Sequence, residues 1–170
     1  MPNKALLIFA IMWNENKVEN LNAAIKILES KFGKIVKKSD DFILSYSNYY
    51  EKEMGEGLKK SFFMTDFIID KEDSINLKHY TMNLEDDFRE NGRRTVNIDP
   101  VYLDEYQVVA LSHKNKGSRI YIGKGVYAEM ELLYHHGSFQ PLLWTYLDYK
   151  DNVNFFNEAR KYFLEWMENG

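Results

Sequence analysis

The sequence predicts an α+β fold, on three observations. Residues 5–13, Ala5 to Trp13, are apolar without alternation, as in a strand covered on both faces. Two later stretches place apolar side chains three and four residues apart, the period of an amphipathic helix. Residues from about 107 to 134 switch to apolar–polar alternation, the period of half-buried strands.

Lys4 to Trp13 is the central strand. Asn16 with Glu19 three residues on forms a capping-box-like start, and Val18, Leu21, Ile25, Leu28 and Phe32 make the inward stripe of a first helix that Gly33 stops. Ile35-Val36, Phe42 to Ser47 and Ser61 to Ile69 read as strands, and Tyr49 to Gly57 as a loop or short helical turn. Acids from Asp70 to Asp73 open a second helix at the positive end of its dipole, with Leu77, Thr81, Leu84 and Phe88 inward and Asn91-Gly92 after it. Arg94 to Asp99 supplies the next strand, which Pro100 should end. Strand, helix, strand, strand, helix, strand is the order of a ferredoxin-like split βαβ unit over residues 4–99. An antiparallel β-meander over about 107–134 extends it, and a helix over about 151–168, with Phe155, Ala159, Tyr162 and Trp166 at helical spacing, docks on the core.

With 170 residues, 45% of them hydrophobic, the chain is expected to form a single domain over residues 1–170 without staples. It has no cysteine, which excludes disulfides and thiolate chemistry and fits a cytoplasmic location. The apolar run of nine residues is about half of the ~20 a membrane-spanning helix needs, and its flanks lack a signal-cleavage pattern, so no membrane association is expected. A net charge of −4 argues against general nucleic-acid binding, and no Lys/Arg-Gly-Phe-Gly-Phe run is present for single-stranded RNA. Arg93 to Lys124 nonetheless holds six basic groups against three acids, a local patch that would attract a small anion.

Within the meander, Val126, Ala128, Met130 and Leu132 alternate with Tyr127, Glu129 and Glu131, and Ile120 and Ile122 with Arg119 and Tyr121. Three-residue loops at Asn115 to Gly117 and Gly123 to Gly125 set Ile122 opposite Val126, Tyr121 opposite Tyr127, Arg119 opposite Glu129 and His113 opposite Arg119. The expected row is therefore His113, Arg119, Glu129. Arg119 can fork onto a phosphate or carboxylate, with Asn97 and Lys114 as further polar contacts; Glu129, Asp99 or His113 can move a proton; Tyr121, Tyr127 and Trp144 can wall a ligand. The same row is also what the solvated face of an antiparallel sheet presents, and Asp99-Pro100 is an ordinary way to begin a turn.

No metal site is expected: adjacent His135 and His136 in an extended segment point to opposite sides, and no further ligand spacing accompanies them. Gly55-Glu56-Gly57-Leu58-Lys59-Lys60 lacks P-loop spacing, and Trp144, Tyr146, Tyr149 and the pair Tyr49-Tyr50 suit packing as well as stacking. The residues name no cofactor, reaction or oligomeric state.

Asn97-Ile98-Asp99-Pro100, Val108 to Leu111, Arg119-Ile120-Tyr121, Gly125 to Glu129, Trp144-Thr145-Tyr146 with Asp148-Tyr149, and Tyr49 to Gly55 together resemble a bacterial and archaeal family known only as domain of unknown function 4416. The resemblance implies a small single-domain cytoplasmic protein without an assigned activity. The chain departs from the family pattern in having Val101 for Gly, Ser118 for His, Glu131 for Thr and Leu147 for Pro. An imidazole beside Arg119 is thereby lost unless His113 replaces it. Two functions from different classes remain: a binding protein or enzyme for a small phosphate- or carboxylate-bearing, nucleotide-like ligand, and a non-catalytic interaction or homo-oligomeric protein. Convergence of the polar residues on one pocket favours the first.

Overall fold

The structure is a computed structural model that describes residues 2–44 and 48–170. Its sheet comprises β1 (Lys4–Asn14), β2 (Ile35–Lys38), β3 (Phe42–Ile43), β4 (Leu58–Asp70), β5 (Val96–Leu103), β6 (Gln107–Ser112), β7 (Ile120–Gly123), β8 (Val126–His135) and β9 (Ser138–Pro141). The helices are α1 (Val18–Phe32), α2 (Asn48–Met54), α3 (Ser74–Asp87), α4 (Leu147–Lys150) and α5 (Val153–Asn169). The strands run β2-β4-β1-β5-β6-β8-β7, with β3 on β4 and β9 on β8, and every pairing is antiparallel. The first four positions are the order of a split βαβ unit, so the α+β architecture expected over residues 4–99 is present, followed by the antiparallel extension and the C-terminal helix.

β1 explains its own lack of alternation. Leu7, Phe9, Ile11 and Trp13 pack against α1 and α3 through Leu21, Ala24, Leu28, Phe32, Leu77 and Leu84. Leu6, Ile8 and Ala10 face the other way, toward Phe155, Phe156, Ala159 and Phe163 of α5. Both rows are excluded from water, at about 1.5–3 kcal/mol for each large apolar side chain.

Several local expectations are corrected. Asn14, and not Asn16, caps the start of the first helical segment: its side chain accepts from the Asn16 N–H and opens a short 3-10 turn, Glu15–Lys17, ahead of α1. Val18 is consequently 46% exposed, and the inward stripe begins at Leu21. Of the two alternatives for Tyr49 to Gly57 the helical one is present, Tyr49 to Met54 belonging to α2, and the expected strand Phe42 to Ser47 is described only through Leu44, with Phe42–Ile43 as strand. Pro100 does not end its strand. β6 reaches β5 only at Val101–Leu103, so at Pro100 the ladder is needed on the β1 side alone, opposite Phe9. Val101 sits within that strand and needs no positive φ. Tyr162 and Trp166 of α5 lie at the rim of the core, while Phe156 and Phe163 fill its centre.

The extension has a different neighbour order from the one the alternation predicts. β8, not β7, is in the middle: β6 and β7 flank it and do not touch as strands. Tyr121 does oppose Tyr127, but Gly123 rather than Ile122 opposes Val126, because a bulge at Ile122 leaves a two-residue turn, Lys124-Gly125, with both residues at positive φ. β9 follows β8 through a turn in which His136 has φ 53°, so the adjacent histidines mark a hairpin corner.

Candidate functional site

On the α5 side of the sheet, each central strand changes character along its length. Residues beneath α5 are apolar, and the next ones on the same face, beyond the end of α5, are polar or open onto a cavity. On β1 the row Leu6, Ile8, Ala10 continues to Met12; on β4 Met64 and Phe62 give way to Lys60; on β5 Leu103 and Val101 give way to Asp99 and Asn97. On β8 a bulge between the Val108 and Val109 pairings puts Glu131 beside Leu132 on one side, with Glu129 two residues before. The polar ends floor a cavity of about 580 Å³, walled by α2, α4 and the loop from His113 to Arg119.

The gap between β5 and β6 shapes one wall. Above Val101 the strands diverge, and the unpaired side of β5 is satisfied from α3 and the segment before β5. Glu85 Oε2 accepts from the Ile98 N–H at 2.6 Å, Lys78 Nζ meets Asp99 Oδ1 at 2.8 Å, and Asn97 donates to Asp99 Oδ2 at 3.2 Å. Arg94 donates to Asn97 Oδ1 at 2.7 Å and, from Nε and Nη2, to the Glu53 carboxylate, tying α2 to the same network. Burial favours the neutral acid at Asp99, but Lys78, Lys60 and the Asn97 hydrogen bond outweigh it and hold its pKa down at about 2. Burial wins at Glu85, whose pKa rises to about 7 despite Lys78 and Arg94 nearby.

At the other wall, Glu129 and Glu131 are each 1% exposed. Ser118 Oγ donates to Glu129 Oε2, and Arg119 Nε stands 3.4 Å from the same oxygen. Burial pushes the Glu131 carboxyl up to about 9, with a hydrogen bond to Glu129 and the charge of Glu129 adding to it. Burial also opposes the charge on Glu129, yet the hydrogen bonds from Glu131 and Ser118 and the Arg119 charge hold its pKa below the ordinary value. The pair thus carries one proton and one negative charge at neutral pH. Glu129 Oε1 and Glu131 Oε2 are buried without a hydrogen-bond partner among the described residues. Lys60 is paired with Asp148 at 2.6 Å; burial works against its charge, but Asp148 and Asp99 keep its pKa raised.

The mouth carries the remaining cations. Lys114 Nζ lies 2.8 Å from the Tyr49 hydroxyl and 4.3 Å from that ring's centre, and Lys116 Nζ reaches the Tyr146 hydroxyl. The Arg119 terminal nitrogens are occupied, Nη1 donating to Ser112 Oγ and to the Lys114 carbonyl and Nη2 to the Tyr146 hydroxyl at 3.3 Å, while Nε is buried without a hydrogen-bond partner among the described residues.

Of the residues expected from the sequence to form a site, Asn97, Asp99, His113, Lys114, Arg119 and Glu129 line this one cavity. They do not form the expected row: His113 follows β6 in a bend and has no strand pairing with Arg119, since β7 lies on the far side of β8. Burial, with Lys78 and Lys114 nearby, lowers the His113 pKa. The cross-strand approach of Arg119 to Glu129 is present. Tyr121 and Tyr127 face each other across the edge hairpin at 5.2 Å and Trp144 donates to the Met130 carbonyl, all outside the cavity lining. Lys116, Glu131 and Asp148 are not among the expected site residues, and Lys60 belongs to the Gly55 to Lys60 segment, which lacks P-loop spacing. Glu131 had a visible signal, its two-residue spacing from Glu129.

The residues that carry the family resemblance, Asn97 to Pro100, Arg119, Glu129 and the segment from Trp144 to Tyr149, surround this cavity or its flank. The profile of a family described as Domain of unknown function (DUF4416) matches residues 3–163. The chain belongs to that family. No match is found among curated proteins or among solved structures. Ser118 and Glu131 meet at one point of the site: Ser118 donates to Glu129, and Glu131 supplies the second carboxyl.

Proposed function

We propose that the chain binds a small molecule bearing a phosphate or carboxylate in this cavity, as a ligand-binding protein or enzyme, with the anionic group at Lys114 and Lys116. The observation that supports this reading is the distribution of charge. Inside, each carboxylate has a counter-charge or a proton, whereas the contacts of the two lysines at the mouth among the described residues are with tyrosine hydroxyls and rings. Such ammonium groups suit an anion, and the concave, part-aromatic lining suits the body of a small ligand. Arg119, already bonded to the Lys114 carbonyl, then acts by holding the loop. His113, neutral and in the lining, is the available base for a reacting ligand.

Isothermal titration with inorganic phosphate and citrate tests the reading. Binding is expected to weaken by about tenfold in Lys114→Ala/Lys116→Ala, the loss of one to two charge-assisted hydrogen bonds. Absence of binding by either anion to the wild-type chain contradicts it. The second reading, an interaction or homo-oligomeric protein, draws on Ile120, Tyr121 and Ile122, all exposed on the edge strand β7. A monomer by light scattering at high concentration counts against that one.

A further inference from the structure

Resting on that reading, we propose that Glu129 and Glu131 form a buried pair that recognises the hydroxyl groups of the ligand's body, so that the cavity takes a phosphorylated sugar or similar phosphorylated polyol. Both side chains are almost wholly buried, and each keeps one carboxyl oxygen, Glu129 Oε1 and Glu131 Oε2, without a partner among the described residues. A buried oxygen left unpaired costs about 1–3 kcal/mol, so the site is unfinished until a donor arrives.

The charge around the pair decides which donor. Glu129 is opposed by Arg119, Asp148 by Lys60 and Asp99 by Lys78, and Glu131 is neutral. The floor therefore has no negative charge in excess, and an ammonium or guanidinium group there would find none to match its own desolvation cost. Neutral hydroxyls fit instead. Each can donate to the free oxygens, and a sugar's apolar face can lie on an aromatic side chain, here Tyr50. The proton is kept by burial and by the groups facing Glu131 from each packed element. Glu129 on β8 and Asp148 of α4 oppose ionisation; Lys60 on β4 favours it.

The test compares ribose 5-phosphate with n-pentyl phosphate by isothermal titration at pH 7, two esters of similar length that differ in their hydroxyls. Ribose 5-phosphate is expected to bind at least about tenfold more tightly, the worth of one or two hydrogen bonds to a buried charged pair. Glu131→Gln, which keeps a donor and an acceptor, retains the preference; Glu131→Met, which keeps the volume and removes both, reduces it toward one. Equal binding of the two esters, or an unchanged preference in Glu131→Met, overturns the inference while leaving the anion site standing. If neither ester binds, both readings fall.

Discussion

Two carboxyls of this protein respond to pH in opposite directions. Asp99, held near 2, contributes stability that is present above its ordinary value near 4 and is lost as pH falls through about 2. Glu131, raised to about 9, gains a proton on folding at neutral pH. Its contribution is complete below its ordinary value near 4.5 and is lost as pH rises toward about 9. Glu85 acts in the same sense over a narrower window, from about 4.5 to about 7. The melting temperature is therefore expected to decline between pH 5 and 9, by at most about 1.4 kcal/mol of stability per pH unit for each such group. Glu131→Gln should flatten the upper part of that decline. A parallel curve for the variant would show that Glu131 is ionised in the folded chain. Lys78 belongs to the same scale. It is 1% exposed on a helix, where its position beside Leu77 marks it as nothing more than a polar neighbour in sequence. Lys78→Met leaves the part-exposed Asp99 without its nearest cation and is expected to cost about 1.5–3 kcal/mol, measurable by urea unfolding. A change under ~1 kcal/mol would mean that Lys60 alone suffices to hold Asp99.

Among elements, α2 is the one whose stability comes from elsewhere. Seven residues are too few for a helix to persist in isolation. It is held by Met54 against Met12 and Leu58, by Lys114 at the Tyr49 hydroxyl, and by Glu53 gripping Arg94 through side chain and backbone. Glu53→Ala is expected to speed amide exchange across residues 49–54 by about tenfold or more, the loss of a charge-assisted pair, while the protected amides of β1 stay unchanged. If exchange in α2 does not move, Met54 carries the attachment. What the sequence showed of the elements follows the same division between local and distant causes. β1, α1 and α3 were legible because an unbroken apolar run and an apolar period are both local properties of a sequence. The face of β8 that carries Glu129 was legible for the same reason. The order β6-β8-β7 was not, since alternation says which way a side chain points and not which strand lies next to it. A single bulge at Ile122 was enough to keep Tyr121 opposite Tyr127 while changing the turn. The segment of α2 reads equally as a loop or a short helical turn because its supports, Arg94 and Lys114, lie 41 and 65 residues away along the chain.

At the scale of the whole molecule, the two cores meet in β1. The row Leu7, Phe9, Ile11 serves the layer with α1 and α3, and the row Leu6, Ile8, Ala10 serves the layer with α5. Loss of either layer would expose one full face of the central strand, so neither is expected to melt alone. The polar floor of the cavity lies on the continuation of the α5-side row, which means the site is assembled by the same strands whose apolar ends form a core. Phe9→Ala and Phe156→Ala, on opposite layers, are each expected to lower stability by about 3–5 kcal/mol through the volume they vacate. Both should shift one common transition. Trp13 is packed in the first layer and Trp166 at the rim of the second, so tryptophan fluorescence samples both layers. Fluorescence and far-ultraviolet circular dichroism are expected to give superimposable urea curves for the wild-type chain and for both variants, as one domain folding in one step requires. Separated curves in Phe156→Ala, with the helix signal lost before the Trp13 environment, would divide the chain at β1 and make α5 and the cavity it borders an independently folding layer.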